Sequence, residues 1–139
     1  MKAEISPYLY FNGKCKEAAY YYAHVFEAEA PRFMTYKDVG MTEYEDADKL
    51  ILYTEVIFDG TKIMMSDNTP GEPMTEGSQI NLVYTVDDPE RLKAVFENFR
   101  VNEAEIAMEL GETFFASHYG MLTDKYGFNW QLSCPKPTH

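Results

Sequence analysis

Basic residues are scarce in this sequence. Twelve Lys and Arg stand against 23 Asp and Glu, for a formal charge of −11. A phosphate backbone is repelled by such a surface, and no local cluster of cations offsets it, so nucleic acid is excluded as a partner. The acid excess serves solubility instead. Cysteine is almost absent: Cys15 and Cys134 lie far apart, without metal-type spacing. That pattern gives no disulfide framework and fits a reducing cytoplasm. No run reaches the ~20 apolar residues that a membrane span needs. ISPYLYF near the start is short, contains Pro7 and has no small-residue cleavage site after it, so it is not read as a signal peptide. Of three histidines, His24 falls on a helix surface and His118 on a half-apolar strand face, and His139 is the last residue. None of them forms a binding cluster with a cysteine.

What is present is a repeated grammar. ISPYLYF (5–11) reads as a strand broken by Asn12-Gly13. After it, Cys15, Ala18, Ala19, Tyr22, Val25 and Phe26 recur at helical spacing. RFMTYKD reads as a strand, VGMTEYEDADK as a solvated loop and ILYTEVIF (51–58) as a strand. Asp59-Gly60 then signals a hairpin into KIMMS. DNTPGEPMTEGS (67–78) is dense in Pro, Gly and polar residues and reads as a linker. The order then repeats. INLVYTV (80–86) is a strand, Asp87-Asp88-Pro89 starts a helix, and Leu92, Val95, Phe96 and Phe99 form its apolar stripe.

EAEIAMEL (103–110) has helical propensities, yet Ile106, Met108 and Leu110 alternate with Glu105, Ala107 and Glu109. The alternation predicts a strand. FFASHYGML and FNWQLS are two more, joined by TDKYG. The two final hairpin arms align residue by residue, Gly60–Ser66 over Gly127–Ser133. With the matching element order, this predicts a duplicated βαβββ module in an α+β fold. Module one covers about residues 1–66, the linker 67–78 and module two about 79–135 of a single 139-residue domain.

PYLYFNGKCKEAAYYY (7–22), KIMMSD (62–67) and ETFFASHYGMLTDKYGFNWQL (112–132) carry a family resemblance. Together they resemble the PhnB-like branch of the vicinal oxygen chelate superfamily, which includes glyoxalase I, bleomycin-resistance proteins and extradiol dioxygenases. Phe115 departs from the pattern, because relatives often carry Trp there. The resemblance implies curled mixed sheets around a cleft, and a homodimer. In the superfamily's enzymes that cleft holds a divalent metal on four inward strand positions, which acts as a Lewis acid. Those positions fall here at Ser6 or Pro7, Met64, Asn81 and Gln131. No anionic ligand is among them, and neutral amides and a thioether are weak donors for a hard cation. No metal and no other cofactor is therefore expected.

Two functional readings follow. The first is a metal-independent binder of a small organic molecule, with Met64, Asn81 and Gln131 on the cleft floor and Tyr8, Phe114 and Trp130 as walls. The second is an enzyme with rebuilt chemistry, in which Glu112, set against an aromatic pocket, acts as general acid or base. A cleft filled by the protein's own side chains is a third possibility. Branch members sometimes carry a methyltransferase label, but none of the eight glycines forms a GxG loop after a strand.

Overall fold

A computed structural model describes residues 2–137; residues 1, 138 and 139, the ends of the expected domain, lie outside the described range. The chain divides into two compact units, Met1–Thr75 and Glu76–His139. Each is a four-stranded mixed sheet with one helix.

In the first unit, β1 (Tyr8–Phe11), α1 (Cys15–Val25), β2 (Met34–Thr35), β3 (Ile51–Phe58) and β4 (Thr61–Asp67) build a sheet in the order β1-β4-β3-β2. β1 runs parallel to β4, and the other pairs are antiparallel. β1 is shorter than the ISPYLYF run because Pro7 has no amide proton; its carbonyl still accepts from the Met64 amide at 3.1 Å. Asp59 and Gly60 both have positive φ (49° and 77°), the turn that matches strand twist in a two-residue hairpin. The stripe of α1 packs on one sheet face, and its Cys15, Ala18, Ala19 and Tyr22 are buried with Leu9, Phe11, Val56, Ile63 and Met65. Phe26, just beyond the helix, stacks on Phe58 at 3.9 Å.

The expected RFMTYKD strand contracts to Met34–Thr35, followed by a 3-10 turn at Lys37–Val39. Thr35 and Asp38 exchange side-chain and backbone bonds of 2.8 and 3.1 Å, which ends the strand and starts the turn. These bonds from Thr35 hold the Asp38 carboxyl below its ordinary range.

The second unit repeats the plan with β5 (Leu82–Thr85), α2 (Pro89–Val101), β6 (Glu105–Gly111), β7 (Ala116–Thr123) and β8 (Asn129–Pro135), in the order β5-β8-β7-β6. Again the first strand pairs parallel with the last. Asp88 caps α2 by accepting from the amides of Glu90 and Arg91, with Pro89 in the first turn. Within EAEIAMEL the strand predicted by the alternation forms from Glu105 onward, while Glu103 and Ala104 belong to the turn after α2. Leu92, Val95, Phe96 and Phe99 are buried with Tyr84, Leu122, Trp130 and Leu132. The structure thus has the two βαβββ halves read from the sequence.

Candidate functional site

Strand alternation gives each sheet two unlike faces. One packs on the helix. The other, helix-free face collects the polar and aromatic side chains that can meet a ligand.

On the helix-free face of the first unit, Tyr8 of β1 pairs with Met64 of β4, which pairs in turn with Glu55 of β3. Tyr10 and Tyr53 share that face. The Tyr8 ring lies 5.0 Å from Tyr10 and 6.3 Å from Tyr53, tilted by 31° and 50°. The Tyr53 hydroxyl donates to Glu55 Oε2 at 2.6 Å, and Lys62 Nζ is 3.7 Å from the same oxygen. Partial burial, reinforced by the bond to Glu55, pushes the Tyr53 phenol up to about 12. The hydroxyl therefore keeps its proton further into alkaline pH than an ordinary phenol does.

On the helix-free face of the second unit, Gln131 is central. The Tyr119 hydroxyl donates to Gln131 Oε1 at 2.8 Å, and Gln131 Nε2 donates to Asn81 Oδ1 at 3.4 Å. Phe115 stands edge-on to Tyr119 at 4.9 Å, and Phe114 packs edge-on to Phe115 at 5.1 Å while being 91% exposed. The result is a short hydroxyl–amide relay bordered by two phenyl rings. All three relay residues are only half-buried, so a bound molecule can replace part of the relay.

Of the residues singled out from sequence, Tyr8 and Met64 meet on one helix-free face, and Asn81 and Gln131 on the other, near the Phe114–Phe115 pair. Trp130 is not among them. It is 3% exposed, packs 5.3 Å from Phe99 of α2, and its indole N–H donates to Asp124 Oδ2. One step of alternation separates it from Gln131 and turns it to the helix. Glu112 does not face an aromatic pocket. Its side chain is 75% exposed in the irregular segment between β6 and β7, and it lies 3.6 Å from Lys136 Nζ. This is an ordinary surface ion pair. His118 is half-buried, with Ser117 Oγ at 3.1 Å from Nδ1. Ser66 and Asp67 end β4. Both are buried, and Asp67 accepts from the amides of Cys15 and Ile51.

Tyr53, Glu55 and Tyr119 were not singled out from sequence. The signal was there: in ILYTEVIF, inward Thr54, Val56 and Phe58 leave Tyr53 and Glu55 on the opposite side.

The metal positions of the superfamily can be tested on the same geometry. The pairing of β1 with Met64 and of β5 with Gln131 makes Ser6 the equivalent of Asn81 in the repeat. Ser6 Oγ donates to Glu4 within its own exposed segment. In the second unit both amide oxygens already accept hydrogen bonds, Oε1 of Gln131 from Tyr119 and Oδ1 of Asn81 from Gln131. The first unit offers the Met64 thioether. Among the described residues, no group of three or more His, Cys, Asp or Glu could hold a metal ion. This donor set does not suit a hard divalent cation.

A family model described as 3-demethylubiquinone-9 3-methyltransferase matches residues 3–133. The chain belongs to this family. Its sequence motifs resemble the PhnB-like branch of the vicinal oxygen chelate superfamily, and solved proteins of the PhnB and glyoxalase/bleomycin-resistance type share its fold. Protein YjdN of Escherichia coli K12 is 31% identical over 142 residues, spanning 95% of each chain. The crystal structure of PA1353 from Pseudomonas aeruginosa superposes with a TM-score of 0.81 at 27% identity, covering 98% of this chain and all of that one. The PhnB protein of Bacillus cereus shares the fold, with a TM-score of 0.70 at 24% identity over 95% and 99% of the two chains. The family description names methyl transfer, but the two strand-to-helix turns here contain one glycine between them, Gly13. The turn before α2 is capped by Asp88 instead.

Proposed function

We propose that this protein binds a small organic molecule on the helix-free faces of its sheets, and that it does so without a metal. The observation that supports this most directly is the Tyr119–Gln131–Asn81 relay. It offers an amide and a hydroxyl in fixed orientation beside apolar rings, the usual make-up of a site for a neutral or weakly polar ligand. A metal enzyme of this superfamily needs those same oxygens free and an anionic partner to balance the cation. Neither condition fits this donor set. The homodimer implied by the family resemblance belongs to the same reading, and light scattering of the purified chain measures it.

The test is a melting-temperature screen with neutral phenols, aromatic amides and small heterocycles, run on the native protein and on Tyr119→Phe and Gln131→Leu. The expected result is a saturable shift with at least one compound, reduced in Gln131→Leu. A native protein that responds to none of them, or a shift that survives both substitutions, removes the reading.

A further inference from the structure

We propose that the helix-free face of the first sheet selects an organic ammonium ion, a quaternary or protonated amine, held against the tilted rings of Tyr8 and Tyr53 beside the Glu55 carboxylate. This rests on the reading above that the helix-free faces bind small organic molecules, and it assigns the first sheet's face a ligand class of its own.

Three observations meet at this place. First, three tyrosines from two strands share one face, and two of them remain reachable: Tyr8 is 38% and Tyr10 52% exposed. Aromatic faces are electron-rich and attract cations, most strongly cations too weakly hydrated to prefer bulk water. Second, the Tyr8 and Tyr53 rings are 6.3 Å apart at 50°, so they diverge instead of stacking. Rings at that angle do not cover each other face to face, and the Tyr10 ring, 5.0 Å from Tyr8, extends the aromatic surface. Third, a carboxylate stands in the same row. Glu55 is two strands from Tyr8 through Met64, and the Tyr53 hydroxyl holds it at 2.6 Å. That bond fixes the carboxylate's position and draws the ring and the charge into one unit.

The face already accepts a cation. Lys62 Nζ lies 3.7 Å from Glu55 Oε2, on a half-exposed side chain with a long flexible stem. Such exposed pairs are weak and carry an entropic cost for holding the lysine in place. A ligand cation that touches the rings as well as the carboxylate makes contacts that the lysine ammonium does not. Lys62 is therefore a competitor at this site, and its removal should improve binding. The formal charge of −11 adds a general attraction for cations over the whole surface.

The experiment is calorimetric titration of the full chain with choline and with 3,3-dimethylbutan-1-ol, its neutral isostere. Choline is expected to bind, and the isostere roughly 3- to 30-fold more weakly, the range that cation–ring attraction supplies. Glu55→Gln and Tyr53→Leu should weaken choline by a similar factor, Tyr8→Phe should retain it, and Lys62→Met should tighten it. Circular dichroism and melting confirm that each variant is folded. Lys62→Met and Glu55→Gln alter only half-exposed side chains, so the test stands even if Tyr53→Leu fails to fold. Equal affinity for choline and the isostere overturns the proposal, as does choline binding that is indifferent to both Glu55→Gln and Lys62→Met. If choline fails while a neutral compound still shifts the melting temperature, the cation site falls and the binding reading stands. If nothing in either experiment binds, both fall.

Discussion

Tyr119 donates its hydroxyl to Gln131 Oε1 at 2.8 Å, and this bond decides which end of the Gln131 amide points where. With Oε1 engaged, Nε2 is left to meet Asn81. A single phenol thus orients the centre of the second unit's helix-free face. Tyr119→Phe should cost about 0.5–1.5 kcal/mol in urea unfolding, the usual worth of one half-buried hydrogen bond. It should also free the amide to rotate, so that any ligand found in the screen binds Tyr119→Phe with altered affinity. An unchanged melting curve and unchanged binding would show that the relay does not orient the site.

The same geometry governs the response to metals. Nickel, zinc, manganese or iron(II), added one at a time to untagged protein, should give no melting shift that saturates near one equivalent. The amide oxygens of Gln131 and Asn81 are neutral and already accept hydrogen bonds, so a cation would have to break the relay without gaining an anionic ligand. A saturating shift, or stoichiometric metal in the purified protein, would overturn this account of the donor set.

Much of this was legible in the sequence, for identifiable reasons. The strand at EAEIAMEL followed from period-two alternation, although its residues favour helix; the neighbouring β7 supplies the hydrogen bonds that propensity ignores. The Asp59-Gly60 hairpin and the Asp88-Pro89 helix start are local chemistry and were read directly. The side facing of Trp130 was not, because the choice between helix and ligand depends on register, which only the pairing of β8 with β5 and β7 fixes. Glu112 was misplaced in a similar way: the chain between β6 and β7 is irregular, so alternation has no hold on it.

Asp67 shows how the duplicated halves diverged. It accepts from the Cys15 amide at 3.0 Å and from the Ile51 amide at 2.9 Å, so one buried carboxylate caps α1 and anchors the start of β3. Lys14, at the N-cap position, makes no side-chain cap. By the hairpin alignment Cys134 holds the matching place in the second half, where α2 is capped by Asp88 instead. Asp67→Ala leaves two amides without their acceptor and should cost about 3 kcal/mol, measured by denaturant midpoint. Loss within 0.5 kcal/mol of zero, the scale of an ordinary surface change, would mean that the clasp is replaceable.

Gly120 is required by space. A Cβ built there would lie 2.8 Å from a Phe96 ring carbon and 3.0 Å from the Met108 carbonyl oxygen. Phe96 is buried against the sheet and Met108 O is backbone, so neither yields easily. Gly120→Ala should lose about 1–3 kcal/mol from overpacking, and Gly120→Val should lose more. Substitution at Gly77, whose Cβ meets nothing within 4 Å, is the control and should leave the melting temperature nearly unchanged.

The thiol of Cys15 gives a prediction with a definite sign. It is fully buried at the start of α1, and burial first, then the nearby Asp67 charge, push its pKa from 9.0 to about 12. Between those values the unfolded chain has released the proton and the native chain still holds it, so raising the pH favours unfolding. The stabilising contribution is complete below about pH 9 and is lost progressively up to about 12. Native protein at pH 8 should therefore leave Cys15 unreactive toward an aromatic disulfide reagent, and should expose it only on unfolding. In stability measurements from pH 8.5 upward, Cys15→Ala should lack this component of the decline. Each group that titrates in this way contributes a slope of up to about 1.4 kcal/mol per pH unit. Identical slopes in the two proteins, or rapid native labelling of Cys15 at pH 8, would show that the thiol is not held protonated by its surroundings.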